Sequence, residues 1–301
     1  VTLANHLRLT LLVVVTAGAA LAAWWLPDTS PHWLALPIGF ALPFVFAPIM
    51  LGIQVLVGAI VDPRQPRTTL MHVLGVWWRE TLASLHVFLW LQPFSTRSDA
   101  ALVRDPQRPA VLLIHGYVCN RAVWQPLLNA GVLRDCNVAT VNLEPVFGDI
   151  DGYAEVVAAA IDRLLAASGA ARVILVCHSM GGLAARAYLR RFGDVRVDRV
   201  ITLAAPHHGT VFGRLGMGTN AKQMAAGSPF LEDLAANESE ARRAKFVCIA
   251  TRDDNLLVPR SSPLLPGASE RVIEGVGHLA LIEDQRAWRI VAEEIRSVAR
   301  A

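Results

Sequence analysis

Lysine is all but missing from this chain of 301 residues: of its 28 basic side chains only Lys222 and Lys245 are lysines, and the rest are arginines interleaved with acids. A net charge of +3 is too small for a nucleic-acid footprint, and the nearest basic cluster, Arg242, Arg243 and Lys245, follows three glutamates. Cysteine is scarce too. Cys119, Cys136, Cys177 and Cys248 lie far apart without C-x-x-C spacing, which excludes a disulfide framework and leaves only a Cys119–Cys136 bridge open. Charged residues amount to 18% while apolar ones reach 53%, against about 45 to 50% in soluble domains. Disorder is thereby excluded, and the apolar excess needs a place.

That place is before residue 95. The run from Leu9 to Leu26 carries no charge and is long enough to cross a hydrocarbon core of about 30 Å as a helix. After a polar turn, a second uncharged run extends from Trp33 to Val61. Pro37, Pro43 and Pro48 would break a helix in water but are tolerated in a span whose neighbours satisfy the freed backbone. Arg8 and the small residues near Ala22 also fit a cleaved signal peptide, and a buried soluble hairpin is a third reading. Run length, the Trp24–Trp25 pair and the second run favour a retained membrane hairpin. Arg8, Arg64, Arg67 and Arg79 flank it and Asp28 sits in its turn, so the charge bias puts both ends in the cytoplasm, as for a bacterial inner-membrane protein. Residues 68–92 read as a helix along the membrane or against the hairpin, with Trp77, Trp78 and Trp90 at headgroup level or packed on the hairpin. The expected organisation is a membrane-anchoring segment over 1–92, a linker over 93–109 and a catalytic domain over 110–301.

From residue 110 short apolar runs alternate with helical patterns, the signature of a mostly parallel sheet covered on both faces, an α/β fold. Strands are expected at 110–114, 136–143, 172–177, 197–204, 246–251 and 271–276, with helices at 152–167, 181–192 and 280–299. The stretch 205–244 breaks this rhythm and is a candidate lid or cap. Within it Phe212, Leu215, Met217, Met224, Phe230 and Leu231 suit an apolar cover, and Phe212, Met217 and Met224 are the expected substrate contacts.

Chemistry concentrates at strand ends. C-H-S-M-G-G, residues 177–182, follows a strand and opens a helix, the setting in which a serine is held out at the sheet edge. Ser179 is therefore the candidate nucleophile, in a G-x-S-x-G pattern whose first glycine is replaced by Cys177. It needs a base oriented by a carboxylate. His278, after the last strand, is the candidate base. Asp254, after the strand FVCIAT, is the candidate acid, with Asp253 as its rival. Tyr117, after His115-Gly116, and Met180 are the candidate backbone donors of an oxyanion hole. His207 and His208 are adjacent, yet no carboxylate or cysteine cluster accompanies them at ligand spacing, so no metal and no cofactor is expected.

The segments LLIHGYVCNRAVW, VCHSMGGLAARAYL, TLAAPHHGT, NAKQMAAGSPFLEDL, DDNLLVP and GVGHLALI, in this order, resemble bacterial lipases and esterases of the α/β-hydrolase superfamily and the neighbouring glycosylphosphatidylinositol deacylases. The resemblance covers about residues 110–300 and leaves the hydrophobic first third outside. It implies an α/β-hydrolase fold, Ser179, Asp254 and His278 as a triad, and Tyr117 and Met180 as the oxyanion hole. The expected activity is cleavage of a carboxylic ester, with a hydrophobic acyl or lipid substrate. Acyl transfer or thioester cleavage on the same triad, and a non-catalytic membrane-tethered binding protein, are the alternatives.

Overall fold

The computed structural model describes residues 2–27, 30–62, 69–95 and 104–299; Asp28, Arg64, Arg67 and residues 96–103 of the linker lie outside them. Helices α1 (Leu3–Trp25) and α2 (Ala35–Val61) form an antiparallel hairpin, with the small residues Gly18, Ala19 and Gly39 at their crossing. At 1.5 Å per residue, the 23 residues of α1 extend about 34 Å and the 27 of α2 about 40 Å. Both are long and apolar enough to cross a membrane. Most of their large apolar side chains, among them Leu9, Leu12, Leu21, Phe40 and Phe46, are exposed.

The third helix packs against both the hairpin and the following domain. Helix α3 (Leu70–Leu85) continues as a wider, π-type stretch, His86–Leu91. Its two faces divide the work. Val76, Glu80, Ala83, Val87 and Leu91 recur on one face and are buried, whereas Leu70, Leu74, Trp78 and Leu82, each four residues apart, stay exposed. Ala83, Val87 and Leu91 belong to the core of the following domain, so that core begins before residue 92. Trp77 packs on the hairpin, its Nε1 donating to Pro48 O at 2.8 Å, while Trp78 and Trp90 face outward.

After residue 110 six parallel strands form one sheet in the order β2-β1-β3-β4-β5-β6. They are β1 (Ala110–Ile114), β2 (Asn137–Val141), β3 (Val173–His178), β4 (Val197–Leu203), β5 (Phe246–Thr251) and β6 (Ser269–Ile273). Strands covered on both faces read as continuous apolar runs, which is why AVLLI and VILVCH are buried throughout. Leu112 and Ile114 join the core under α4 (Ile150–Ser168) and α5 (Met180–Phe192), and Val111 and Leu113 join the opposite core with α3. Asp149 caps α4, accepting from Asp151 N, and Gly169 ends it in the left-handed region at φ 79°.

Several boundaries differ from expectation. The last strand lies earlier than 271–276: Glu274 already pairs with Arg252, and Gly275 N donates to Asp253, both in the loop after β5. The expected helix 280–299 is broken at Asp284 into α9 (Ala280–Glu283) and α10 (Gln285–Ala299). The stretch 205–244, the candidate lid or cap, is built of several short elements. It holds a short turn Val211–Arg214 and helices α6 (Gly218–Gln223), α7 (Pro229–Ala236) and α8 (Glu240–Arg243). Phe230 and Leu231, expected in an apolar cover, are instead buried in the core beneath α4 and α5. All four cysteines are free thiols, so the Cys119–Cys136 bridge does not form.

Candidate active site

The carboxyl ends of β1, β3, β5 and β6 converge on one cavity of about 420 Å³. Ser179 stands between β3 and α5 at φ 51° and ψ −125°, a backbone region that a residue with a side chain enters only when its surroundings force it. The forcing is visible. Ser179 N is tied to Leu203 O at 2.9 Å on β4, and the chain must immediately start α5. Gly116 makes room for the turn, since a Cβ there would stand 2.9 Å from Ser179 Cβ. Cys177 is fully buried, and burial pushes its thiol far up, so it fills space beside the serine as an unreactive small residue.

His278 follows β6 and lines the same cavity as Ser179. Its Nδ1 donates to Asp254 Oδ2 at 2.9 Å, and Asp254, fully buried, also accepts Leu256 N at 2.8 Å and Leu257 N at 2.7 Å through Oδ1. Burial by itself would push the His278 imidazole down. The charge and hydrogen bond of Asp254, with the charge of Glu80 behind them, hold it above the ordinary histidine value. No hydrogen bond yet joins Ser179 Oγ to His278; both groups face the open cavity. Asp253, the rival acid, turns the other way, with Oδ1 2.8 Å from His72 Nε2 and Oδ2 accepting Gly275 N at 2.6 Å.

Tyr117 and Met180 flank the serine. Met180 is the first residue of α5, and an N–H in the first turn of a helix has no acceptor within the helix. Tyr117 lines the cavity, and its hydroxyl brackets the cap, donating to Met217 O and accepting from Met217 N, both at 2.9 Å. The preceding His115 is locked: Nδ1 donates to Gly116 O at 2.9 Å, Nε2 accepts Leu143 N at 3.0 Å, and burial pushes the ring down to about 4. Of the expected substrate contacts, Phe212 and Met224 line the cavity. The Met217 side chain does not and is 66% exposed, because its backbone, clasped by Tyr117, turns it away. Leu215 stands at the cavity wall instead.

Four contributions escaped sequence reasoning. Glu80 and Gln54, in the hydrophobic third, reach the site: Glu80 Oε1 accepts Leu279 N at 2.9 Å, and Gln54 Oε1 accepts Asn255 Nδ2 at 2.7 Å. Asn255 Oδ1 in turn accepts His278 N at 3.0 Å. Arg186 on α5 forms a buried two-pronged pair with Glu238, with N–O distances of 3.1 and 2.9 Å, and donates to His207 O at 3.0 Å. His207 is accordingly a buried packing residue outside the cavity lining, its Nε2 3.2 Å from Thr202 Oγ1. Among the described residues no group of three His, Cys, Asp or Glu side chains is placed to hold a metal ion. The local cue to Gln54 and Glu80 was polarity in an apolar stretch; Asn255 stood beside two aspartates, and Arg186 was one of three arginines on its helix.

Residues 111–246 match the alpha/beta hydrolase family. Among solved structures the chain is similar to Aspergillus fumigatus lipase B, at TM-score 0.56 and 19% identity over 66% of this chain and 55% of that one. It is also similar to Bacillus licheniformis lipase BlEst2 in its mature form, at TM-score 0.55 and 18% identity over 65% of this chain and 96% of that one. The similarity thus spans little more than half of the Aspergillus lipase's length. No curated protein matches the sequence. At such identities the likeness is one of fold: the sheet order and the family match over residues 111–246 agree on an α/β-hydrolase fold.

Proposed function

We propose that the protein is a membrane-anchored serine hydrolase that cleaves carboxylic esters of lipid or other hydrophobic acyl substrates. The observation that carries this reading is Ser179, held at positive φ on a strand-to-helix turn, sharing one cavity with the His278–Asp254 pair. Ser179 Oγ attacks the acyl carbon while His278 Nε2 takes its proton. The new Oγ–C bond forms as the carbonyl π pair moves onto oxygen, where the Tyr117 and Met180 amides meet it. Collapse expels the alcohol, which receives the proton from His278. Water then repeats the sequence on the acyl-enzyme, and Asp254 keeps the Nδ1–H tautomer throughout.

The cavity wall supports a hydrophobic substrate. Leu51 on α2 and Phe88 after α3 stand beside Phe212, Leu215, Met224 and Leu257, so the acyl site opens between the hydrolase domain and the apolar hairpin. Arg8 at the start of α1 donates to Pro93 O at 2.6 Å, which puts that end of the hairpin on the hydrolase side; with the arginine bias, the domain faces the cytoplasm. Fluorophosphonate labelling of membranes, followed by a p-nitrophenyl ester series from short to long chains, tests the reading. Labelling at Ser179 with rates rising along the series is expected. An unlabelled protein would be a binding protein, and acyl transfer to an added alcohol in preference to water would make it a transferase.

A further inference from the structure

Glu80 occupies a costly position. It lies on α3, in a stretch otherwise so apolar that it resembles a membrane-surface helix, yet it is 2% exposed and, among the described residues, no lysine or arginine pairs with it. Its carboxylate is spent on one turn of chain 199 and 200 residues away. Leu279 N donates to it at 2.9 and 3.1 Å and Ala280 N at 2.9 Å. On the other side of His278, Gly277 comes so close that a Cβ would stand 2.5 Å from Glu80 Oε2. The carboxylate therefore grips both flanks of the histidine and also lines the cavity. A neutral amide could close such a turn with far less desolvation penalty, so closing the turn does not by itself explain a buried charge here.

We propose that Glu80 is a positioning residue for His278: it fixes the turn 277–280 so that the imidazole faces Ser179, and its charge favours the imidazolium formed when the serine loses its proton. This rests on the Ser179–His278–Asp254 reading above. The anchoring segment is then part of the active site and not merely its tether. Three titratable groups face the imidazole: Asp254 from the acid loop, Glu80 from α3, and His178 at the end of β3, whose ring centroid lies 4.8 Å away. His178 is kept neutral, pushed down by burial and then by His278, and its Nε2 donates to His278 O at 3.3 Å. Further out, Arg260 Nε donates to Asp254 O at 3.2 Å, Arg79 to Gly275 O at 3.1 Å, and His72 is held by Asp253. Burial, with the charge of Asp254, leaves the Glu80 carboxyl above the ordinary carboxylate range, although the two amides and His278 draw it part of the way back.

The test is the pH dependence of fluorophosphonate inactivation of the full chain in membranes, which reads His278 without needing the natural substrate. Glu80→Gln, whose amide oxygen can still close the turn, is expected to move the acid limb to lower pH because one charge that raises His278 is gone, and to slow the plateau rate because the imidazolium loses that charge. Glu80→Asp, which keeps the charge on a shorter arm, should slow labelling and leave the limb in place. A Glu80→Gln limb that coincides with wild type, with only thermal stability reduced, would overturn the proposal. If Glu80→Gln does not fold, Glu80→Asp decides: a slowed rate with an unmoved limb supports it, and a wild-type rate overturns it. A wild type that takes no label at all overturns the serine-hydrolase reading itself, and this inference with it.

Discussion

Gln54 Oε1 accepts the Asn255 amide at 2.7 Å, joining the middle of an apolar helix to a loop 201 residues later. The bond fixes which way the Asn255 amide points: with Nδ2 committed to Gln54, Oδ1 is free to take His278 N at 3.0 Å. His278, the proposed base, is thus held from three directions: Asp254 on its ring, Asn255 on its backbone and Glu80 on the turn that follows.

Ser179→Ala should abolish fluorophosphonate labelling and ester turnover while the fold persists. What remains is the oxyanion hole and binding, worth about 10³ to 10⁴ over the uncatalysed reaction. Labelling retained in the variant would point to another nucleophile. Cys119 also lines the cavity, but burial pushes its thiol up to about 12, so it is no substitute.

Asp254→Asn should lower kcat by about four orders of magnitude, because His278 would then be held in the wrong tautomer. Asp253→Asn should cost far less, acting only through the His72 and Gly275 bonds. The opposite ranking in steady-state kinetics would make Asp253 the acid.

The pH profile follows from the direction of the His278 shift. Because the imidazole is held above the ordinary value, of about 6.5, it stays protonated to higher pH, and the acid limb of kcat/KM should lie on the alkaline side of that value. Stability runs the other way. The favourable interaction of protonated His278 with Asp254 is fully present below the unfolded histidine value and is lost as pH rises through the folded one. Activity against pH and thermal unfolding against pH should therefore trend oppositely in this window, and parallel trends would contradict the assignment.

Arg186→Ala should destabilise the protein by about 3 to 5 kcal/mol, because it strands the Glu238 carboxylate in the interior. Replacing both by apolar residues, Arg186→Met with Glu238→Leu, should recover much of the loss. Thermal unfolding in detergent distinguishes the two. A single variant as stable as wild type would show that water reaches Glu238.

The chain should remain in the membrane fraction after an alkaline carbonate wash. For orientation, single reporter cysteines at Thr29 and Ser98, both outside the described residues, are placed on a background lacking the half-buried Cys136. Thr29→Cys should label from outside intact spheroplasts and Ser98→Cys should not. The reverse would turn the hydrolase domain outward, toward exported or outer-leaflet lipids.

Much of the molecule is legible without coordinates. Apolar runs such as AVLLI and FVCIAT are strands because only a doubly covered parallel sheet buries such runs whole, and Ser179, Asp254 and His278 are found at strand ends because that is where loops converge. These are local signals, complete within a few residues of chain. The choice between Asp253 and Asp254, the outward turn of Met217 and the burial of Phe230 are not local: neighbouring residues, or residues in one apolar stretch, are separated only by which surface the rest of the chain presents to them. Glu80 is the extreme case. By sequence it is a charge on an amphipathic helix, expected at the membrane surface. Only the packing of Val76, Ala83, Val87 and Leu91 against the protein turns that face inward and delivers its carboxylate to Leu279 and Ala280. Sequence periodicity specifies that a helix has two faces, but which face meets the domain and which stays exposed is decided by long-range burial.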